Sequence, residues 1–198
     1  MSTRKVSTRR SSRRKFLGVS LVELIVFIVI VSTAVAGIIS VIAITTQSSA
    51  DPMTRKQALA IAEAVLEEVK LKPFTYCDPD DPAAATALNT AGCATPDAIG
   101  PEAGETRTSS TTPFDNVNDY QSGGAGGAGL TLSPVADVEG TAIAGLEGYS
   151  ANIKVAAQAL GAVPASDSLL ITVTVTGPGN TIVTLHGYRT RYAPNDLP

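Results

Sequence analysis

Between Leu24 and Ala50 the chain runs for 27 residues without a charge or a proline (LIVFIVIVSTAVAGIISVIAITTQSSA). As a helix rising ~1.5 Å per residue this is about 40 Å, longer than the ~30 Å hydrocarbon core of a bilayer. The run is therefore expected to span a membrane. Ahead of it, residues 1–18 carry seven bases (Arg4, Lys5, Arg9, Arg10, Arg13, Arg14, Lys15) and no acid. Such a flank stays cytoplasmic, which places the C-terminal bulk on the far side. That bulk holds eight bases against eighteen acids, a formal charge of −10. Nothing in it offsets phosphate repulsion, so no nucleic-acid partner is expected. The length of 198 residues suits one domain plus an anchor, and a single His (His186) with two Cys gives little material for metal catalysis.

Three readings compete for the apolar run. A secretory signal peptide has support in the basic front and in Ala34-Val35-Ala36, a small-x-small cleavage site. Against it, the apolar run continues past Ala36 through IISVIAI, and Glu23 sits at the edge of the run, where it serves no export signal. An uncleaved single-pass anchor is the second reading. The third begins with Glu23 itself, since an acid at the membrane edge is costly and marks function. Its context is Lys15-Phe16-Leu17-Gly18, then Val19-Ser20-Leu21-Val22-Glu23.

A basic leader, a glycine, a hydroxyl residue second after it, flanking aliphatics and Glu fifth together resemble the type IV prepilin (type III) signal. The resemblance implies that a membrane-embedded prepilin peptidase cuts between Gly18 and Val19 and that the new amine of Val19 is N-methylated. It also implies that Glu23 guides assembly by neutralising the cationic N-terminus of a neighbouring subunit. Val19 stands where the family usually has Phe, and the leader is long for a type IVa pilin. Glycine suits the cut because a bare backbone fits a narrow protease cleft.

Past the run, Asp51-Pro52 is an N-cap followed by a first-turn proline, so a fresh helix or a kink is expected there. Over 52–72 apolar residues recur at Leu59, Ala62, Val65, Leu66 and Val69, opposite Lys56, Glu63, Glu67 and Lys70, an amphipathic helix ended by Pro73. Residues 73–129 are weakly patterned and rich in Ala, Gly, Thr, Asp and Pro; a stretch so long is functional, stapled or disordered. Cys77 and Cys93 enclose fifteen residues and are expected to form a disulfide in an extracytoplasmic domain, with two free thiols the alternative. Closing such a loop is worth about 3 kcal/mol. In the last third, Tyr149, Ala151, Ile153 and Val155 alternate with polar or small residues, as do Leu169, Ile171, Val173 and Val175. A turn at Gly177–Asn180 then leads into a third strand over 181–192, giving an antiparallel sheet with one buried face.

The chemical motifs are weak. Gly124–Gly129 satisfies G-x-G-x-x-G but follows no strand and opens no helix, so a flexible loop is expected rather than a dinucleotide site. Asp78, Asp80 and Asp81, or Asp115, Asn116 and Asp119, offer oxygen ligands to calcium, yet without EF-hand spacing, and solvated turn carboxylates are the expectation. His186, near Tyr188, Arg189, Arg191 and Tyr192, lacks a nucleophile context. No catalytic residue, metal or cofactor is expected.

The segments ADPMTRKQALAIAEAVLEEV, FTYCDPDD, FDNVNDY and GYRTRYAP together resemble the minor pilin of the mannose-sensitive haemagglutinin (MSHA) type pilus and its relatives, the minor pseudopilins. The resemblance spans most of the chain except roughly 83–112 and the glycine run. It implies an α+β, ladle-like fold: a cleaved leader (1–18), a transmembrane and filament-core helix (19–50), an amphipathic helix (51–72), a variable stapled region (73–129) and an antiparallel sheet (130–198). It implies a non-enzymatic subunit of the inner membrane, with its C-terminal domain periplasmic until it enters a pilus. Its partners would be other pilin or pseudopilin subunits, prepilin peptidase and the inner-membrane assembly platform, and its effects pilus initiation, tip formation or adhesion. A minor pseudopilin of a type II secretion system and a membrane-anchored or secreted binding domain are the rival readings.

Overall fold

The computed structural model describes Gly18 and residues 20–195, with the backbone alone over 44–51. The chain divides into two compact units after Gln47. Helix α1 is assigned over Leu21–Leu71, with Pro52 inside it. The expected break at Asp51-Pro52 does not end the helix; proline there only forgoes one backbone N–H donor.

In the first unit, Leu21–Ala43 is apolar over 23 residues with mean hydropathy 2.9, and every one of these side chains is exposed. A helix of that length and greasiness can cross a membrane or serve as a signal sequence. It has no buried face of its own to fold around.

The second unit is α+β. Four strands lie in the order β1 (Leu130–Leu132), β2 (Ser150–Ala157), β3 (Ser168–Gly177) and β4 (Thr181–Thr190), all antiparallel. The expected alternation holds: Ala151, Ile153, Val155, Leu169, Ile171, Val173 and Val175 are all buried. One row crosses the whole sheet in register, Leu130, Ile153, Val173 and Leu185. The opposite face carries polar rungs, such as Thr174 with Thr184 (3.2 Å between hydroxyls).

The second-unit part of α1 covers the buried face. Its buried residues are Ala58, Ile61, Ala62, Val65 and Val69, with Leu66 partly buried. The face is rotated from the expected one: Leu59 is largely exposed, while Ala58 and Ile61 point inward. Small residues explain the choice, because Ala58 and Ala62 let the helix approach the sheet closely. At the far end Gly187 does the same for β4; a Cβ there would sit 3.0 Å from Leu66 Cδ1. Tyr149, at the start of β2, donates its hydroxyl to Gln57 Oε1 at 2.6 Å, tying sheet to helix.

Residues 73–129 are packed rather than loose. Cys77 and Cys93 form a disulfide. Asp81 and Asp78 accept backbone N–H groups of Ala83 and Asp80, both at 2.8 Å. The guanidinium of Arg191 stacks on Phe74, 3.8 Å from the ring centroid, and donates to Thr75 O at 3.1 Å. A short 3₁₀ turn over Val117–Tyr120 is wholly buried. Just after it, Gln121 donates its amide to Ser122 O and Gly124 O and accepts Val155 N–H at 2.9 Å. The glycine run is likewise a hydrogen-bonded turn, not a free loop: Gly127 N bonds Gly124 O and Gly129 N bonds Ser122 O.

Candidate functional site

The N-terminal residues singled out by the sequence stand ahead of and within the start of α1. Gly18 is exposed and has open space where a Cβ would be. Val19 lies outside the described residues. Glu23 is exposed in the first turn of α1, where the N–H ends of a helix favour a carboxylate. The basic leader, 1–17, also lies outside the described residues.

The second unit gathers carboxylates that are far apart in sequence. Oxygen atoms of Asp78, Asp80 and Asp115 lie within 4.8 Å of one another, as do those of Asp78, Glu102 and Glu105, and those of Glu105, Asp115 and Asp119. The sets share members, so six acids form one continuous patch. The disulfide-stapled segment brings Asp78 and Asp80, the turns at 102–105 bring the two glutamates, and the turn at 115–120 brings Asp115 and Asp119. Among the described residues none of these six forms an ion pair with Lys or Arg; the ion pairs engage Glu67, Glu68, Asp97 and Asp167.

The expectation of solvated turn carboxylates fails for several of them. Asp119 is 0% exposed, and Asp78 and Asn116 are also buried. Asp119 Oδ2 accepts the N–H groups of Asn116 (2.7 Å) and Asp115 (3.0 Å), while its buried Oδ1 has no partner. Asp115 Oδ1 and Glu102 Oε2 are buried and unpartnered too. Burial, reinforced by neighbouring acids, pushes the Asp119 carboxyl up to about 8 and that of Asp115 to about 7. Glu102 and Glu105 move upward for the same first reason. Asp81, grouped with Asp78 and Asp80 by sequence, behaves oppositely: the Thr95 and Ala83 N–H groups it accepts hold its carboxyl low. It is a loop cap and no part of the patch.

Glu102 and Glu105 were not among the residues that the sequence marked. Their only signal was acidity, within a segment without periodicity. Elsewhere His186 Nδ1 lies 3.1 Å from Thr172 Oγ1 on the exposed sheet face, with no nucleophile pairing recorded there. Next to the acidic patch a bidentate pair, Arg107 to both Glu68 oxygens at 2.8 Å, joins the helix to the loop. Tyr120 donates its hydroxyl to the same Glu68 at 2.8 Å, its own acidity suppressed by burial and by the Glu68 charge.

No known protein family, no curated protein and no solved structure matches the chain.

Proposed function

We propose that the chain is a minor type IV pilin, a non-enzymatic subunit that is cut after Gly18, methylated at Val19 and built into a pilus or its tip complex. The observation that carries this reading is the spacing from Gly18 to Glu23 directly ahead of a membrane-length helix, Leu21–Ala43. An exposed glycine offers an extended backbone to a protease. The exposed apolar helix needs partners, lipid first and other such helices afterwards. Within a bundle of them a lone cation is far costlier than a paired one, so Glu23 neutralising a neighbour's N-terminal amine selects one axial register. The disulfide and the dense polar packing of residues 73–129 suit an oxidising compartment outside the cytoplasm.

The deciding measurement is the intact mass of the membrane-extracted protein. A chain starting at Val19 and carrying one methyl group is expected; one that retains residues 1–18, or starts at Gly37, overturns the reading. Glu23→Ala is expected to insert in the membrane normally yet enter filaments at least tenfold less, a loss that needs only about 1.4 kcal/mol of pairing. Wild-type incorporation of that variant would remove the role assigned to Glu23.

A further inference from the structure

We propose that Glu105, Asp115 and Asp119 bind a calcium ion, with Asp78 and Glu102 supplying the adjoining oxygen wall. The patch alone would be only a cluster of acids. What points to a ligand is Asp119, a fully buried carboxylate with one oxygen satisfied by two backbone N–H groups and the other, Oδ1, without a partner. The same residue offers an oxygen within 4.8 Å of oxygens from Glu105 and Asp115.

An unpaired carboxylate buried in protein costs several kcal/mol, and three converging ones cost more. The site must therefore be neutralised by protons or by a cation. No Lys or Arg of the described residues pairs with it; Lys72 acts on Asp115 only at longer range. Carboxylate oxygens are hard donors, which favours Ca²⁺ or Mg²⁺ over softer transition metals. Size then selects. Ligands on opposite sides of Ca²⁺, at about 2.4 Å each, stand about 4.8 Å apart, whereas Mg²⁺ at ~2.1 Å demands a tighter octahedron and retains most of its water. A patch with several spare carboxylates and an irregular outline fits the larger, more adaptable ion. Those oxygens come from three separate segments, so the ion would act as a second staple beside the disulfide. This inference stands on the second unit alone and does not depend on the filament reading.

The test is calorimetric titration of CaCl₂ into the full-length, detergent-solubilised, chelator-stripped protein at neutral pH and ~0.1 M salt, with MgCl₂ in parallel. One saturable Ca²⁺ per chain is expected, with an affinity in the range of extracellular calcium modules, about 10⁻⁴–10⁻³ M. Its binding should raise the melting temperature. Asp119→Asn can disturb the turn it caps, so Glu105→Gln and Asp115→Asn are the main variants, each first shown to keep the wild-type near-UV circular dichroism. Both should weaken Ca²⁺ at least tenfold, while Glu63→Gln on the exposed helix face leaves it unchanged. The proposal is overturned if no saturable binding is seen up to about 10 mM, well above the weakest such modules. Unchanged affinity in both variants, or Mg²⁺ binding as tightly as Ca²⁺, overturns it equally.

Discussion

Replacing Glu68 with alanine is expected to lower the unfolding free energy of the second unit by about 3 kcal/mol, the lower end of the range for breaking a buried ion pair. Three donors converge on this one carboxylate: Arg107 Nε and Nη2 and the Tyr120 hydroxyl, each at 2.8 Å. The Arg107 side chain is only 7% exposed, so truncation strands a guanidinium that water cannot reach. Its remaining contacts, to Asp137 O at 2.6 Å and Ala136 O at 3.4 Å, solvate it but carry no charge. Glu68→Gln keeps an acceptor for Tyr120 and should cost less. Thermal or denaturant unfolding of the full chain in detergent, followed by near-UV circular dichroism, measures both. Equal stability of Glu68→Ala and wild type would mean that the pair contributes nothing to holding the helix on the loop.

The second large effect is expected at Gly129, where alanine should cost about 3 kcal/mol or more. Its φ of +82° is strained for any L side chain, which alone costs 1–3 kcal/mol. A Cβ would also lie 2.2 Å from Ile153 O, inside the ladder that pairs Leu130 with Ile153. Gly145 is the matched control, having the same φ of +82° with nothing within 4 Å of its would-be Cβ. Alanine there should cost only the backbone term, ~1–2 kcal/mol. If the two variants melt together, the close approach of the glycine turn to β2 has no energetic weight.

The parts of the fold legible in the sequence are those with a period. Alternating β-branched residues place β2, β3 and β4 within a residue or two of their observed ends, because one face of each must be buried. The helix over 52–71 was equally visible, but its face was misjudged. Hydrophobicity favoured Leu59, whereas the close packing on the sheet favours the alanines at 58 and 62. Strand β1 has three residues, too few for any pattern. The region 73–129 has no period at all, since it is held by side chains bonding to backbone and by the disulfide. Thr75, Asn116, Asn118, Asp119 and Gln121 are buried there, though each type normally lies outside. For the same reason the acidic patch was only half legible. Asp78 and Asp80, and Asp115 and Asp119, were visible as separate turns, and nothing local could indicate that the chain returns to bring them together with Glu102 and Glu105.

Gln121 has one more effect, felt at the margin of the sheet. β1 ends its pairing with β2 at Ile153, so the next outward-facing amide, at Val155, would otherwise meet solvent. The Gln121 carboxamide caps it as an adjacent peptide group would, and this rung should exchange its hydrogen as slowly as the interior of the ladder. On that side the molecule offers no ready template for an incoming extended chain, which leaves stickiness there to side chains alone.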